Sequence, residues 1–188
     1  MNKKSTRNNI SLYDELGNEW WHNESTAFRS LRQVNQFRLQ LLSEWCEPLS
    51  GKKVLDLGCG GGLLSVPIAK SGAEVIALDG SLKSLTTARN HDKKNSFFIQ
   101  GDLNQLPFKG AFADIILLAD VLEHIPSYEK VLFHASQLLK QNGLLYVNTI
   151  NRNTIASFLA VTLSEGIGFI PKGTHDPSLF IKPDELQS

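Results

Sequence analysis

Cysteine is scarce: Cys46 and Cys59 are the two in 188 residues. Neither has a CxxC partner, which excludes a disulfide framework or a zinc ribbon and points to a reducing compartment. Neither sign of charge is in excess, since 19 Lys and Arg face 19 Asp and Glu. Nothing therefore favours a polyanion, and no nucleic-acid partner is expected. Internal repeats and low-complexity tracts are missing. So is an apolar run long enough for a spanning helix: Asn153 to Pro171 carries one formal charge, Glu165, but Thr154, Thr162, Ser164, Gly166 and Gly168 dilute it. Met1 to Asn9 lacks the apolar stretch of a signal peptide, so the expected location is cytoplasmic. With 41% hydrophobic and 20% charged residues, the composition is that of one ordinary globular domain. A chain of this size buries roughly 70% of its unfolded surface without staples.

What is present is alternation. From Ser25, Phe28, Leu31, Val34, Leu41, Leu42 and Trp45 recur at helical spacing until Pro48 and Gly51. Lys53–Leu57 reads as a strand, residues 58–62 as a glycine turn, Leu63–Ser71 as a helix and Ala73–Asp79 as a second strand. A helix at Leu82–His91, strands at Phe97–Gly101 and Ala113–Ala119, a helix at Tyr128–Gln141 and a strand at Leu144–Asn148 follow. Continuously apolar strands with helical crossovers predict an open, doubly wound, mostly parallel α/β sheet. Such sheets bind ligands beyond the carboxyl ends of their strands, where the strand order reverses.

The residues just after the strands are chemically distinctive. Gly58, Gly60, Gly61 and Gly62 follow the first strand, and glycines there permit positive φ and close approach of a ligand. The dinucleotide fingerprint needs a glycine at 63, where Leu63 stands. Asp79, 21 residues beyond Gly58, is placed to accept both hydroxyls of a ribose; taken alone, a helix cap would explain it too. Asp102 follows the third strand and is a candidate acceptor for an adenine amine. Asp120, Glu123 and His124 follow the fourth at i, i+3 and i+4 and share a face if a helical turn begins there. Two carboxylates and an imidazole are donors for Mg²⁺ or Zn²⁺, and candidates for generating a phenolate. His175 and Asp176 are a second candidate pair.

These motifs resemble class I S-adenosylmethionine-dependent methyltransferases, whose fold is Rossmann-like. From about Trp20 onward the chain more closely resembles the ubiquinone-biosynthesis O-methyltransferase family. The marks are Trp20-Trp21, Val34 to Leu39, Leu122 to Pro126, Asn148 to Asn153 and Pro171 to Asp176. The resemblance implies that Arg38 binds the cofactor carboxylate, that Gly58 belongs to the cofactor loop and that Asp79 is the ribose acid. It also implies that Ala119, where the family often carries methionine, lines the adenine side, and that the reaction depends on a divalent metal. The substrate it implies is a polyprenyl catechol or hydroxyphenol. The apolar segment 154–172 is then expected to be a lid over the polyprenyl tail, or a peripheral contact with the inner face of the membrane.

The expected organisation is an N-terminal segment, residues 1–24, and a single methyltransferase domain, residues 25–188. Five strands are counted, and methyltransferases of this class usually add an antiparallel pair. Those final strands are expected to be absent and the domain C-terminally incomplete. Two other functions stay open: a non-catalytic cofactor- or lipid-binding member of the fold, and an NAD-type oxidoreductase, which Leu63 disfavours.

Overall fold

A computed structural model of the chain describes residues 10–22, 28–46, 48–94, 96–149 and 180–186. The segment 154–172 and the pair His175 and Asp176 lie outside them. The described elements are α1 (Ile10–Glu15), α2 (Arg29–Cys46), β1 (Lys53–Leu57), α3 (Ser65–Lys70), β2 (Glu74–Asp79), α4 (Leu82–His91), β3 (Phe97–Gln100), β4 (Ala113–Ala119), a single 3₁₀ turn (Leu122–His124), α5 (Tyr128–Leu138), β5 (Leu139–Asn148) and α6 (Pro183–Leu186).

All four strand pairings are parallel, in the order β3-β2-β1-β4-β5. The chain winds outward from β1 through β2 to β3, then returns to lay β4 against the other side of β1. This reversal opens the crevice between the carboxyl ends of β1 and β4. Alternation along each strand sends side chains to two apolar layers. Val54, Val75, Ala77, Ile115 and Leu117 pack on one face with Leu42, Ile68 and Leu85 from the helices. Leu55, Leu57, Leu78, Ile116 and Leu118 pack on the other with Val131, Ala135 and Leu138 of α5. A sheet covered on both faces requires strands without a polar side, which is why the sequence shows continuous apolar runs.

Two expectations are corrected. Helix α5 ends at Leu138, and Gln141 belongs to β5. The amide of Phe112 donates to Leu138 O (2.9 Å) and Ala113 pairs with Leu139, so the chain enters the sheet directly from the helix. A register shift between Ala113 and Ile115 and the positive φ of Asn142 absorb the mismatch. On α2, Val34 and Trp45 are exposed, whereas Asn35, Arg38 and Leu42 are buried. These three lie at i, i+3 and i+7, one helical face. Leu42 on that face packs into an apolar layer, while the polar Asn35 and Arg38 lie further toward the crevice, where Arg38 meets Asp120 and Asn148.

Candidate active site

The glycine turn is shaped by its neighbours. The amides of Gly58 and Cys59 both donate to Leu78 O, at 2.7 and 3.1 Å, tying the turn to the end of β2. Gly58 and Gly60 have φ of 82° and 50°, which a side chain rarely tolerates. A Cβ on Gly58 would lie 2.5 Å from Val121 Cγ2, and one on Gly61 would lie 2.2 Å from Trp20 Cγ. The Gly60–Gly61 face expected to admit a ligand therefore seats the indole of Trp20. That ring stacks on Phe28 at 4.0 Å and donates from Nε1 to Ser84 Oγ (2.9 Å).

At the end of β2, the Asp79 carboxylate accepts from the amides of Gly60 and Ser81, both at 2.8 Å. The cap of α4 is Ser81, whose hydroxyl accepts from the Ser84 amide, so capping does not account for Asp79. Burial raises its pKa, opposed by the amides of Ser81 and Gly60. Beneath it in β1, the buried Asp56 accepts from Ser65 Oγ at 2.5 Å, and burial pushes its pKa up to about 6.

Across the crevice stands Arg38, 4% exposed. Its Nη1 donates to Asn35 Oδ1 (2.8 Å) and its Nη2 to Asp120 Oδ1 (2.8 Å) and Asn148 Oδ1 (2.5 Å). Nη1 also lies 2.7 Å from Asp120 Oδ2, a forked ion pair. Asp120 holds a left-handed backbone, φ 56°, just beyond the half-buried Ala119. Asp102 is exposed, its Oδ1 accepting from the backbone amide and side-chain amide of Asn104, so it stands apart from this cluster.

The sequence grouped Asp120, Glu123 and His124 on one helical face, and the structure separates their partners. Glu123, 1% exposed, accepts from Thr149 Oγ1 (2.8 Å) through Oε2, while its buried Oε1 has no partner among the described residues. Burial first and the Asp120 charge second push the Glu123 pKa up to about 7. The Nε2 of His124 faces Tyr13 Oη at 3.3 Å. Burial, helped by Glu123, Asp79 and Asp120, raises the pKa of Tyr13, so its hydroxyl stays protonated. Among the described residues no three His, Cys, Asp or Glu side chains form a group able to hold a metal. Arg38 occupies Asp120 and Tyr13 occupies His124; of the three expected ligands, only Glu123 presents an unused oxygen.

Residues 55–147 match the family described as Methyltransferase domain. The whole chain aligns at 36% identity with the ubiquinone biosynthesis O-methyltransferase of Proteus mirabilis, covering 81% of that protein. The corresponding protein of Azoarcus aligns at 36% over 99% of the chain and 81% of its own length. The chain belongs to the ubiquinone biosynthesis O-methyltransferase family. Solved structures agree on the fold. Magnesium protoporphyrin IX methyltransferase from Synechocystis, with bound SAH, superposes with a TM-score of 0.68 at 21% identity, covering 94% of this chain and 84% of its own. A SAM-dependent methyltransferase from Thermotoga maritima gives 0.68 at 20% identity, covering 95% and 76%.

Within this methyltransferase scaffold, several neighbours of the predicted residues had been given no role in the site, even where they lay in the family's motifs. Asn35 sits one turn before Arg38, at the i, i+3 spacing that places two side chains on one face. Asn148 ends β5, adjacent in register to Ala119, and the rule that sent attention to strand ends applies to it equally. Tyr13 and Trp20 carried no positional signal, because both reach the site through tertiary packing of a segment read as an N-terminal extension. Among the described residues no helix is long and apolar enough to cross a membrane.

Proposed function

We propose that the chain transfers the methyl group of S-adenosylmethionine to a phenolic oxygen of a polyprenyl catechol or hydroxyphenol. The observation that carries this reading is the buried Arg38, held across the crevice from Asp79. One cation is placed for the cofactor's carboxylate and one acid for its ribose, on either side of the strand reversal. Gly58 belongs to the cofactor loop, the Gly60 amide holds the Asp79 carboxylate that faces the ribose, Ala119 lines the adenine side, and Asp102 receives the adenine amine. Family membership supports the assignment of the acceptor as a quinone precursor. The apolar composition of residues 154–172 supports a polyprenyl tail and contact with the inner face of the membrane; flotation with anionic liposomes tests it, and failure to float removes the membrane contact.

In-line displacement at a sulfonium needs little covalent help from the protein. Holding the phenolate and the methyl carbon at near-attack distance supplies most of the rate. A phenol of pKa about 10 must lose its proton, and efficient acceptors titrate near the working pH. Glu123, pushed up to about 7, meets that condition, with His124 adjacent in the chain. A divalent cation is a second reading, favoured by the unpartnered Glu123 Oε1. As they stand Asp120, Glu123 and His124 form no metal-holding group; they would hold it only once Asp120 leaves Arg38 and His124 leaves Tyr13, and it would then supply Lewis-acid polarisation of the phenol. Chelation followed by Mg²⁺ readdition decides: loss and recovery of turnover support the cation, and unchanged turnover leaves Glu123 and His124 as the base.

The primary test is calorimetric binding of S-adenosylhomocysteine, with NADH and Asp79→Ala as controls. Saturable binding that Asp79→Ala weakens, with NADH silent, is expected. If a folded chain binds neither nucleotide, the cofactor reading fails.

A further inference from the structure

We propose that Tyr13 is the chain's own stand-in for the acceptor: its phenol fills the place beside His124 that the hydroxyl of a catechol or hydroxyphenol takes, and α1 moves aside to release it. This deepens the phenol-acceptor reading above and rests on it. Tyr13 carries the functional group that the reading assigns to the acceptor, and it stands where that group is needed. Its Oη lies 3.3 Å from His124 Nε2, with the two rings edge to face at 80°. The carboxylates of Glu123, Asp79 and Asp120 are all within electrostatic reach of that hydroxyl, which puts it between the acid assigned to the ribose and the cluster after β4. The Trp20 indole runs nearly parallel to the phenol, at 17° and a centroid distance of 6.3 Å. A polar group facing the hydroxyl and an aromatic wall alongside the ring are what a site for a phenol requires.

The seat of α1 is suited to release. A helix of six residues does not hold itself together, so its place depends on what it touches. Asp14 Oδ1 accepts from Ser81 Oγ at 2.7 Å and from the Lys83 amide at 3.4 Å, and Tyr13 O accepts from Ser84 Oγ at 3.4 Å. Just beyond α1 the chain is anchored more firmly. Gly17 O accepts from Thr87 Oγ1 at 2.6 Å, Trp20 is buried, and Trp21 donates from Nε1 to Gly61 O at 2.7 Å while its ring stacks on His91. The residues before Gly17 can therefore swing about a fixed point. At 3.3 Å the Tyr13–His124 contact is long for a hydrogen bond, and an acceptor hydroxyl replaces it like for like. Whether His124 serves the base or a cation, Tyr13 must leave it first.

The test is calorimetric titration of the wild-type chain and of Tyr13→Phe with a catechol bearing one prenyl unit, in saturating S-adenosylhomocysteine. Phenylalanine keeps the ring and removes the hydroxyl, and an occupant that is held less well concedes its place more readily. Tyr13→Phe is therefore expected to bind the catechol about three- to tenfold more tightly, the scale of one hydrogen bond. A Tyr13 that merely lined the acceptor site would give the opposite sign, so equal or weaker binding by a folded Tyr13→Phe chain overturns the proposal. Hydrogen exchange reads the wild type directly. The amides of Asp14 and Glu15 are expected to exchange faster when the catechol joins the S-adenosylhomocysteine complex, and unchanged or slower exchange overturns the release of α1. If both chains bind S-adenosylhomocysteine and neither takes the catechol, the acceptor reading falls, and the stand-in with it.

Discussion

Replacing Gly61 by alanine isolates the reason for a glycine in the turn. Gly61 lacks the positive φ of Gly58, Gly60 and Gly62, so an alanine meets no backbone penalty and feels only space. Its Cβ would fall 2.2, 2.5 and 2.7 Å from Trp20 Cγ, Cβ and Cδ1, and relief requires the indole to retreat by about 1 Å to reach ordinary contact near 3.5 Å. Trp20 is 6% exposed, stacked on Phe28 and hydrogen-bonded to Ser84, so retreat disturbs a packed cluster. Overpacking of this kind costs roughly 1–3 kcal/mol. Weakening the indole hydrogen bond adds about 1 kcal/mol, so about 2–3 kcal/mol is expected. In a chain of this length that lowers Tm by roughly 4–12 °C. Thermal unfolding followed by circular dichroism measures it, and Trp20→Leu supplies the control background. There Gly61→Ala should cost less than about 1 kcal/mol, since the clashing ring is gone. Equal losses in both backgrounds would refute the packing argument and return Gly61 to a role in ligand approach.

Asp56 gives stability a pH dependence. Burial shifts it from 3.8 to about 6, worth about 3 kcal/mol. Because the folded value lies above the unfolded one, this contribution is full below about pH 4 and is lost as pH rises through 6. Urea unfolding should show Asp56→Asn gaining on the wild type by roughly that amount between pH 4 and 8; a pH-independent difference sinks the assignment. Removing the Arg38 charge leaves Asp120 unpaired. Arg38→Met should cost about 2–3 kcal/mol, below the full penalty for a broken buried pair because Asp120 is 31% exposed. Adding Asp120→Asn should recover part of the loss, and strict additivity in denaturant unfolding would show that the pair is not coupled.

The sheet was legible because its grammar is local. Runs such as Lys53–Leu57 and Ala113–Ala119 are apolar on both faces and bounded by turn residues, and α4 came out with the bounds Leu82–His91. The end of α5 did not, since the decision at Leu139 is made by pairing with Ala113 and not by helix propensity. Asp79 was legible from its distance to the glycines. The identity of Arg38's partner was not: Asp120 lies 82 residues away and was assigned to another cluster by spacing along a helix that does not form. Trp20 was read as a family mark, and its place against Gly60 and Gly61 follows from packing that no window of sequence contains.

The position of α1 has a consequence for how the chain is made. Asp14 accepts from Ser81 Oγ at 2.7 Å, Gly17 O accepts from Thr87 Oγ1 at 2.6 Å, and Tyr13 meets His124, 111 residues downstream. At ribosomal rates of roughly 5–20 residues per second, about 6–22 s separate the synthesis of Tyr13 from that of its last partner. For that interval the Tyr13 hydroxyl lacks its His124 partner, although the Trp20 indole already has Phe28, the glycine turn and Ser84 to rest on. Segment 13–20 is therefore seated in stages, first against α4 and the glycine turn, and its Tyr13 contact closes only after β4 has been laid down beside β1.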